Sequence, residues 1–220
     1  MILPKKFLSN QMSPENLDFL LSRGYRHFGS FFYRYRFSFH QGKRTRVLPL
    51  RIQLNKYNPK KDHKKILKKN EGLEYCFLPS FIDEEREIMF DLHKKRFREN
   101  IPDSLYTFLS FSPATIPCEN MQCNVIKDGK LIAVSYMDIG MESISSVYGM
   151  FLPEFSYLHP GIFTMLLEIE YAIKNGKKYY YHGYAYESES FYDYKKRFNG
   201  LECYDWRGNW RDYKRNDIIR

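Results

Sequence analysis

Gln122-Cys-Asn-Val-Ile126, Asp128-Gly129, Leu131-Ile-Ala-Val-Ser-Tyr-Met137, Ser143-Ile-Ser-Ser-Val-Tyr148, Pro160-Gly-Ile-Phe-Thr-Met-Leu-Leu-Glu-Ile-Glu-Tyr-Ala-Ile-Lys174 and Lys178-Tyr-Tyr-Tyr-His-Gly-Tyr184 follow one another along the chain, and their order decides the fold. Asp-Gly between short apolar runs is a hairpin turn, so the first three runs predict successive antiparallel strands. The Pro-Gly segment is an apolar helix of about 15 residues closed by Asn175-Gly176, because proline suits a first turn and glycine a left-handed end. A strand follows from Lys178, then a helix over 189–198. Strand, strand, strand, helix, strand, helix predicts an α+β or α/β domain with a mixed, mostly antiparallel sheet flanked by helices.

Upstream, Ser13-Pro14 reads as N-cap and first helical residue, Leu17, Leu20 and Leu21 as the apolar stripe, and Gly24 as the stop. Residues 27–39 interleave aromatic and basic side chains as a strand, and residues 46–54 alternate Arg, Leu and Ile as a second. Pro59 opens a helix over 60–70, anchored by Ile66 and Leu67, in which Lys61, Lys64, Lys65, Lys68 and Lys69 recur at helical spacing. A second helix is expected over 83–98, acidic first and basic last, as the macrodipole favours. Residues 105–111 are a short helix or strand.

The chain has 220 residues and a net charge of +9. Residues 41–69 hold eleven Lys and Arg against Asp62 alone, so this segment carries +10 and the remainder −1. The organisation expected is a smaller basic N-terminal subdomain, 1–72, followed by a larger domain, 73–220. With 19 Tyr and 18 Phe the chain has too much apolar surface to stay disordered. Its located positive charge predicts a polyanionic partner. Cys76, Cys118, Cys123 and Cys203 are scattered with no CxxC pair, so no metal or cofactor is expected. No run approaches a membrane span and the first residues lack a signal-peptide core, so a cytoplasmic setting is expected.

Several stretches, in order, resemble the arginyl-tRNA or leucyl-tRNA protein transferase family. They are Asp128-Gly-Lys-Leu-Ile-Ala-Val134, Ser145-Ser-Val-Tyr148, Leu167-Glu-Ile-Glu170, Lys178 to Tyr184, and Tyr194-Lys-Lys-Arg-Phe198. Met12-Ser-Pro14, Arg23-Gly-Tyr-Arg26, Pro49-Leu-Arg-Ile52 and the basic run from Tyr57 to Asn70 are similar to the family's N-terminal part. The resemblance implies a fold like that of the GNAT acyltransferases. It also implies transfer of an amino acid, Leu or Arg, from aminoacyl-tRNA to the N-terminal amine of proteins beginning with Asp or Glu, marking them for N-degron degradation. Val47 stands where members often have a cysteine, Ala185 where they often have Trp, and Phe191-Tyr192 where they often have Lys-Met. The last changes fall in the expected pocket.

Aminolysis of an aminoacyl ester needs a neutral amine, a fixed approach and a place for the carbonyl's negative charge. An α-amine has a pKa of about 7.7–8.0, so a strong base is optional. Tyr148, Tyr181, His182 and Tyr184, at predicted strand ends, are the candidates for polar assistance, with core packing as the plain alternative. The five helix lysines, with Arg44, Arg46 and the aromatics of 31–37 beside them, are candidates to hold tRNA through its phosphates. Arg51, Lys195 and Arg197 are candidates to receive an acidic acceptor side chain. The stretch between Gly149 and Gly161 is no phosphate cradle, which argues against an acyl-CoA donor. A non-catalytic tRNA-binding module and a small-molecule N-acyltransferase are the competing classes.

Overall fold

A computed structural model describes residues 5–97 and 101–214. The helix end expected at Arg98 therefore lies outside the described residues. Strands β1 (Lys6–Leu8), β2 (Arg26–Phe28) and β3 (Phe31–Tyr33) form a small antiparallel sheet in the order β1-β3-β2. The stretch 27–39, expected as one strand, is broken: Gly29, at φ +49°, turns β2 back on β3, and β4 (Phe37–His40) leaves to pair with β5 (Lys43–Gln53).

The remaining strands are β6 (Glu74–Pro79), β7 (Asn120–Lys127), β8 (Lys130–Ile139), β9 (Ser143–Phe151), β10 (Tyr179–Tyr186), β11 (Leu201–Tyr204) and β12 (Trp210–Asp212). They join β5 in one mixed sheet ordered β12-β11-β5-β10-β9-β8-β7-β6, with β4 on the flank of β5. The β6 to β9 neighbours are antiparallel, as expected for residues 122–148, while β9 and β10 are parallel. A boundary at residue 72 does not divide this sheet. β5, from the basic side of it, is hydrogen-bonded between β10 and β11 at its centre. Its burial explains the insertion, since Val47, Leu48, Leu50 and Ile52 are all core residues.

Four helices flank the sheet among the described residues: α1 (Pro14–Ser22), α2 (Lys61–Lys69), α3 (Glu84–Lys94) and α4 (Pro160–Lys174). Ser13 and Asp83 cap α1 and α3 by accepting from the amides of Asn16 and Arg86. α4 makes the parallel crossover between β9 and β10. It is apolar nearly all round because the sheet covers one side and α2 another, leaving Phe163, Leu166, Leu167 and Ile169 buried. α3 packs on the opposite face with Met89 and Phe90 against Val134, Tyr136 and Met150, and α1 meets Tyr181 there. The helix expected over 189–198 is a 3-10 run, Phe191–Arg197, and residues 105–107 are a single 3-10 turn.

A candidate active site at the fork between two parallel strands

The parallel pairing of β9 with β10 lasts three residues, Ser143–Ser145 beside Tyr179–Tyr181, after which the strands diverge. Two irregularities lie at that level. On β9 an extra residue, Val147, intervenes between the pairs Ser146 with Met137 and Tyr148 with Tyr136. On β10 Tyr181 and His182 together stand opposite Arg51 alone. Bulges bend a strand and re-aim its side chains, and here they open a fork in the middle of a nine-stranded sheet.

A fork strands backbone carbonyls that a ladder would have satisfied. Arg26 fills it. Its Nη1 donates to the Ser145 hydroxyl at 2.9 Å and the Tyr181 carbonyl at 3.4 Å, and its Nη2 donates to the Ser146 carbonyl. Behind it lies a buried polar chain in which Asp138 accepts from Ser145 at 3.2 Å, Asn120 at 2.8 Å and His27 at 2.9 Å. Burial pushes the Asp138 carboxyl up, but His27, Asn120 and Arg26 outweigh it and hold it below the usual carboxylate value. His27, Cys118 and Asp138 each offer one ligand atom within 4.8 Å of the others, a geometry that could hold a metal ion. Those atoms already serve the chain bracing Arg26, and burial followed by the Asp138 charge pushes the Cys118 thiol far up, opposing the thiolate a metal needs.

Across the fork stands Lys195. A Cβ built on Gly183 would lie 3.0 Å from Lys195 Nζ and 4.0 Å from Arg26 Nη2, so two cations converge on one glycine whose φ of +95° already disfavours a side chain. Burial, then the Arg26 charge, push Lys195 down to about 7. His182 is buried and bound through Nε2 to the Lys195 carbonyl at 3.0 Å. Burial and the Lys195 charge push it down to about 3, so it is neutral. On α4, Glu168 is completely buried and accepts from the Tyr180 hydroxyl at 2.5 Å. Burial first, with Asp138 adding, pushes it up to about 7 against the Tyr180 hydrogen bond, and its Oε1 has no partner among the described residues.

The structure separates the four candidate catalytic residues. Tyr148, half-buried on the diverging part of β9, stacks on Phe108 at 4.1 Å, and its hydroxyl has no hydrogen-bond partner among the described residues. The Tyr184 hydroxyl donates to the Gly24 carbonyl at 2.6 Å, and Tyr181 is buried on the α1 side with its hydroxyl on Arg51. His182 instead joins Tyr180 and Phe198 toward α4.

The three acceptor candidates do not gather either. Arg51 is buried, donates to Glu202 at 2.7 Å and lies over the rings of Tyr179 at 3.9 Å and Trp210 at 4.3 Å. Its charge is matched internally. Arg197 lies in an open groove of about 1040 Å³ with Lys56, Lys60 and Asp212, away from the fork. Lys195 alone is at the fork. Sequence reading missed Arg26 and Glu168 as site residues, although both stood within stretches singled out for resemblance. The signal available was a charged residue inside an aromatic strand and another inside an apolar helix. The five lysines of α2 are all exposed, with Lys69 donating to the Tyr157 carbonyl at 2.7 Å.

The family model described as "Arginine-tRNA-protein transferase, C terminus" matches residues 66–205. The chain belongs to that family. It is an enzyme of the aminoacyltransferase class. Among curated relatives, the aspartate/glutamate leucyltransferase of Leptospira interrogans is 28% identical over 191 residues, covering 84% of this chain and 73% of that one. The crystal structure of FemX is similar with a TM-score of 0.51 at 11% identity, over 84% of this chain and 68% of that one, a likeness of fold alone. The L-PGS from Bacillus licheniformis matches at a TM-score of 0.48 and 14% identity, over 83% of this chain and 54% of that one, too loosely to carry an argument. No helix among the described residues is long and apolar enough to cross a membrane.

Proposed function

We propose that this transferase moves leucine from leucyl-tRNA to the N-terminal amine of proteins that begin with Asp or Glu, through a GNAT-like fork between β9 and β10, as a cytoplasmic step that marks those proteins for N-degron degradation. The observation that carries the reading is the fork itself. It is a break in a continuous sheet, held open by Arg26 and faced by a lysine that has no carboxylate partner among the described residues. The relative's name supplies the leucine and the acidic residues.

The chemistry asks little of the protein beyond placement. The acceptor nitrogen attacks the ester carbonyl carbon, the C–N bond forms, the C–O bond to the terminal ribose breaks, and the nitrogen's proton leaves with the ribose oxygen. Tyr148, on the diverging part of β9, has a buried hydroxyl with no hydrogen-bond partner among the described residues, and burial keeps it protonated well above its ordinary range; it is assigned as the donor to the developing oxyanion. Tyr181, His182 and Tyr184 position the strand: each has its polar tip committed within the protein.

The basic 1–72 region supplies the RNA contact, with Lys61, Lys64, Lys65, Lys68 and Lys69 presented to solvent along α2. Arg197, exposed in its groove, serves the acceptor chain beyond its first residue, whereas Arg51 serves the fold. Transfer of labelled leucine and arginine from their charged tRNAs to peptides beginning with Asp, Glu and Ala tests the whole reading. Leucine on Asp and Glu peptides alone is the expected result. tRNA binding with no transfer to any peptide would establish the binding-module class instead.

A further inference from the structure

Buried and half-buried cations in this protein normally have a carboxylate. Arg51 has Glu202 at 2.7 Å, Arg86 has Asp83 at 2.8 Å, and Lys196, next in sequence to Lys195, has Asp193 at 2.7 Å. Lys195 and Arg26 break the pattern, since neither forms an ion pair among the described residues. The groups that face Lys195 are Arg26 from β2, neutral His182 from β10, and the Tyr192 ring at 5.3 Å on its own segment. Arg26 donates to a hydroxyl and two carbonyls, all uncharged, and the Asp138 carboxylate that feels its charge accepts from that same Ser145 hydroxyl. Two cations flanking a residue without a side chain, walled by an aromatic ring, make a seat for one small anion.

The seat's place decides what kind of anion. Gly183 is two residues past the last position at which β10 pairs with β9, at the base of the fork. A side-chain tip reaches such a place, whereas a phosphodiester backbone must enter and leave. A carboxylate between a guanidinium and an amine satisfies the planar donor geometry of the first and the point charge of the second.

We propose that Arg26 and Lys195 form the seat for the side-chain carboxylate of the acceptor's first residue, and that Lys195 is uncharged in the empty seat and takes up one proton from solvent as the carboxylate enters. This rests on the transferase reading of the same fork. Burial beside Arg26 disfavours the ammonium when nothing opposes it, and this holds Lys195 at about 7. An entering carboxylate supplies the missing counter-charge and restores the ammonium. An Asn or Gln side chain of the same shape brings no charge, leaves Lys195 neutral, and is refused. Selectivity for Asp and Glu is then a protonation event as well as a fit.

Calorimetric titration of the full chain with short peptides beginning Asp or Asn, in two buffers of different ionisation enthalpy, tests the proposal without turnover. The wild type is expected to take up close to one proton per Asp peptide at pH 8, where a group of pKa about 7 is mostly neutral, and little at pH 6, where it is already charged. Asn peptide should bind at least roughly 10-fold more weakly, the scale of a lost charged hydrogen bond. Lys195→Arg should bind Asp peptide with no proton uptake, and Lys195→Met should lose the discrimination between Asp and Asn. Uptake that persists in Lys195→Arg, Asp peptide bound no more tightly than Asn peptide by the wild type, or Lys195→Met that discriminates as before but binds tRNA more weakly would each overturn the seat. Proton-coupled Asp-peptide binding in a wild type that transfers no amino acid overturns the transferase reading and leaves the seat standing. Transfer without uptake removes the seat alone.

Discussion

Arg51 and Arg26 are buried cations and Lys195 a half-buried one, all abutting the same strand, Arg51 at Tyr181 and the other two at Gly183, and they do opposite things. Arg51 sits between two aromatic rings with Glu202 in hydrogen-bond contact, so its desolvation is offset inside the protein. Lys195 has no such compensation, and part of its cost appears as a value lowered to about 7. A satisfied buried charge holds structure together, whereas an unsatisfied one is a vacancy shaped for a ligand. Under the proposed seat, cations that abut one strand divide into a structural role at Arg51 and a recognition role at Arg26 and Lys195.

The largest effect should come from breaking the satisfied side. Arg51→Met leaves Glu202 buried and unpaired, and urea denaturation should show a loss of about 3–5 kcal/mol. Adding Glu202→Leu should recover most of it, and a single variant as stable as the wild type would erase the contrast.

Glu168 is the acidic counterpart of Lys195, buried with no cation paired to it among the described residues. Its folded value of about 7 lies above the 4.5 of the unfolded chain, so the folded state holds a proton that the unfolded state has released. Its contribution is complete below 4.5 and is lost as pH rises through about 7. Glu168→Gln should remove a fall of at most about 3 kcal/mol across that window, seen by comparing urea midpoints at each pH. Parallel pH profiles for the two proteins would place the charge elsewhere.

Lys195→Met sharpens the comparison by what it spares. Removing an uncompensated, half-buried amine should leave stability unchanged or raise it by up to about 1 kcal/mol, even as discrimination between acceptors is lost. A thermal melt lowered as far as that of Arg51→Met would mean that Lys195 is structural too. The smallest effect belongs to the exposed charges. Lys64→Gln should change stability by less than about 0.5 kcal/mol while reducing the salt dependence of tRNA binding by roughly 0.7–0.9 in log–log slope. An unchanged slope would remove α2 from the RNA contact.

The elements from residue 120 to 186 were legible because each has one strong local signal: the Asp128-Gly129 turn, the Pro160 start, the Asn175-Gly176 stop. Local signals failed where long-range pairing decides. Residues 27–39 alternate well enough for one strand, yet Gly29 folds them back; β11 is a strand because β5 lies beside it, and β12 because β11 does. Of the candidate site, Lys195 reached the fork. Arg51 did not, because the cross-strand partner that claims it, Glu202, is 151 residues away in sequence. The four polar aromatic candidates stand at predicted strand ends, but alternate residues of a strand face opposite sides, and the bulge at Tyr181 and His182 shifts the alternation again.

The sequence by itself determined the mixed sheet, its crossover helix, the +10 segment at 41–69 and the family resemblance. Those follow from turn chemistry, apolar periodicity and charge counting, all local quantities. Only the tertiary structure decided which cations are neutralised and which are left facing an opening. That depends on where strands stop pairing, how a bulge re-aims a side chain, and which distant carboxylate arrives to meet a buried charge.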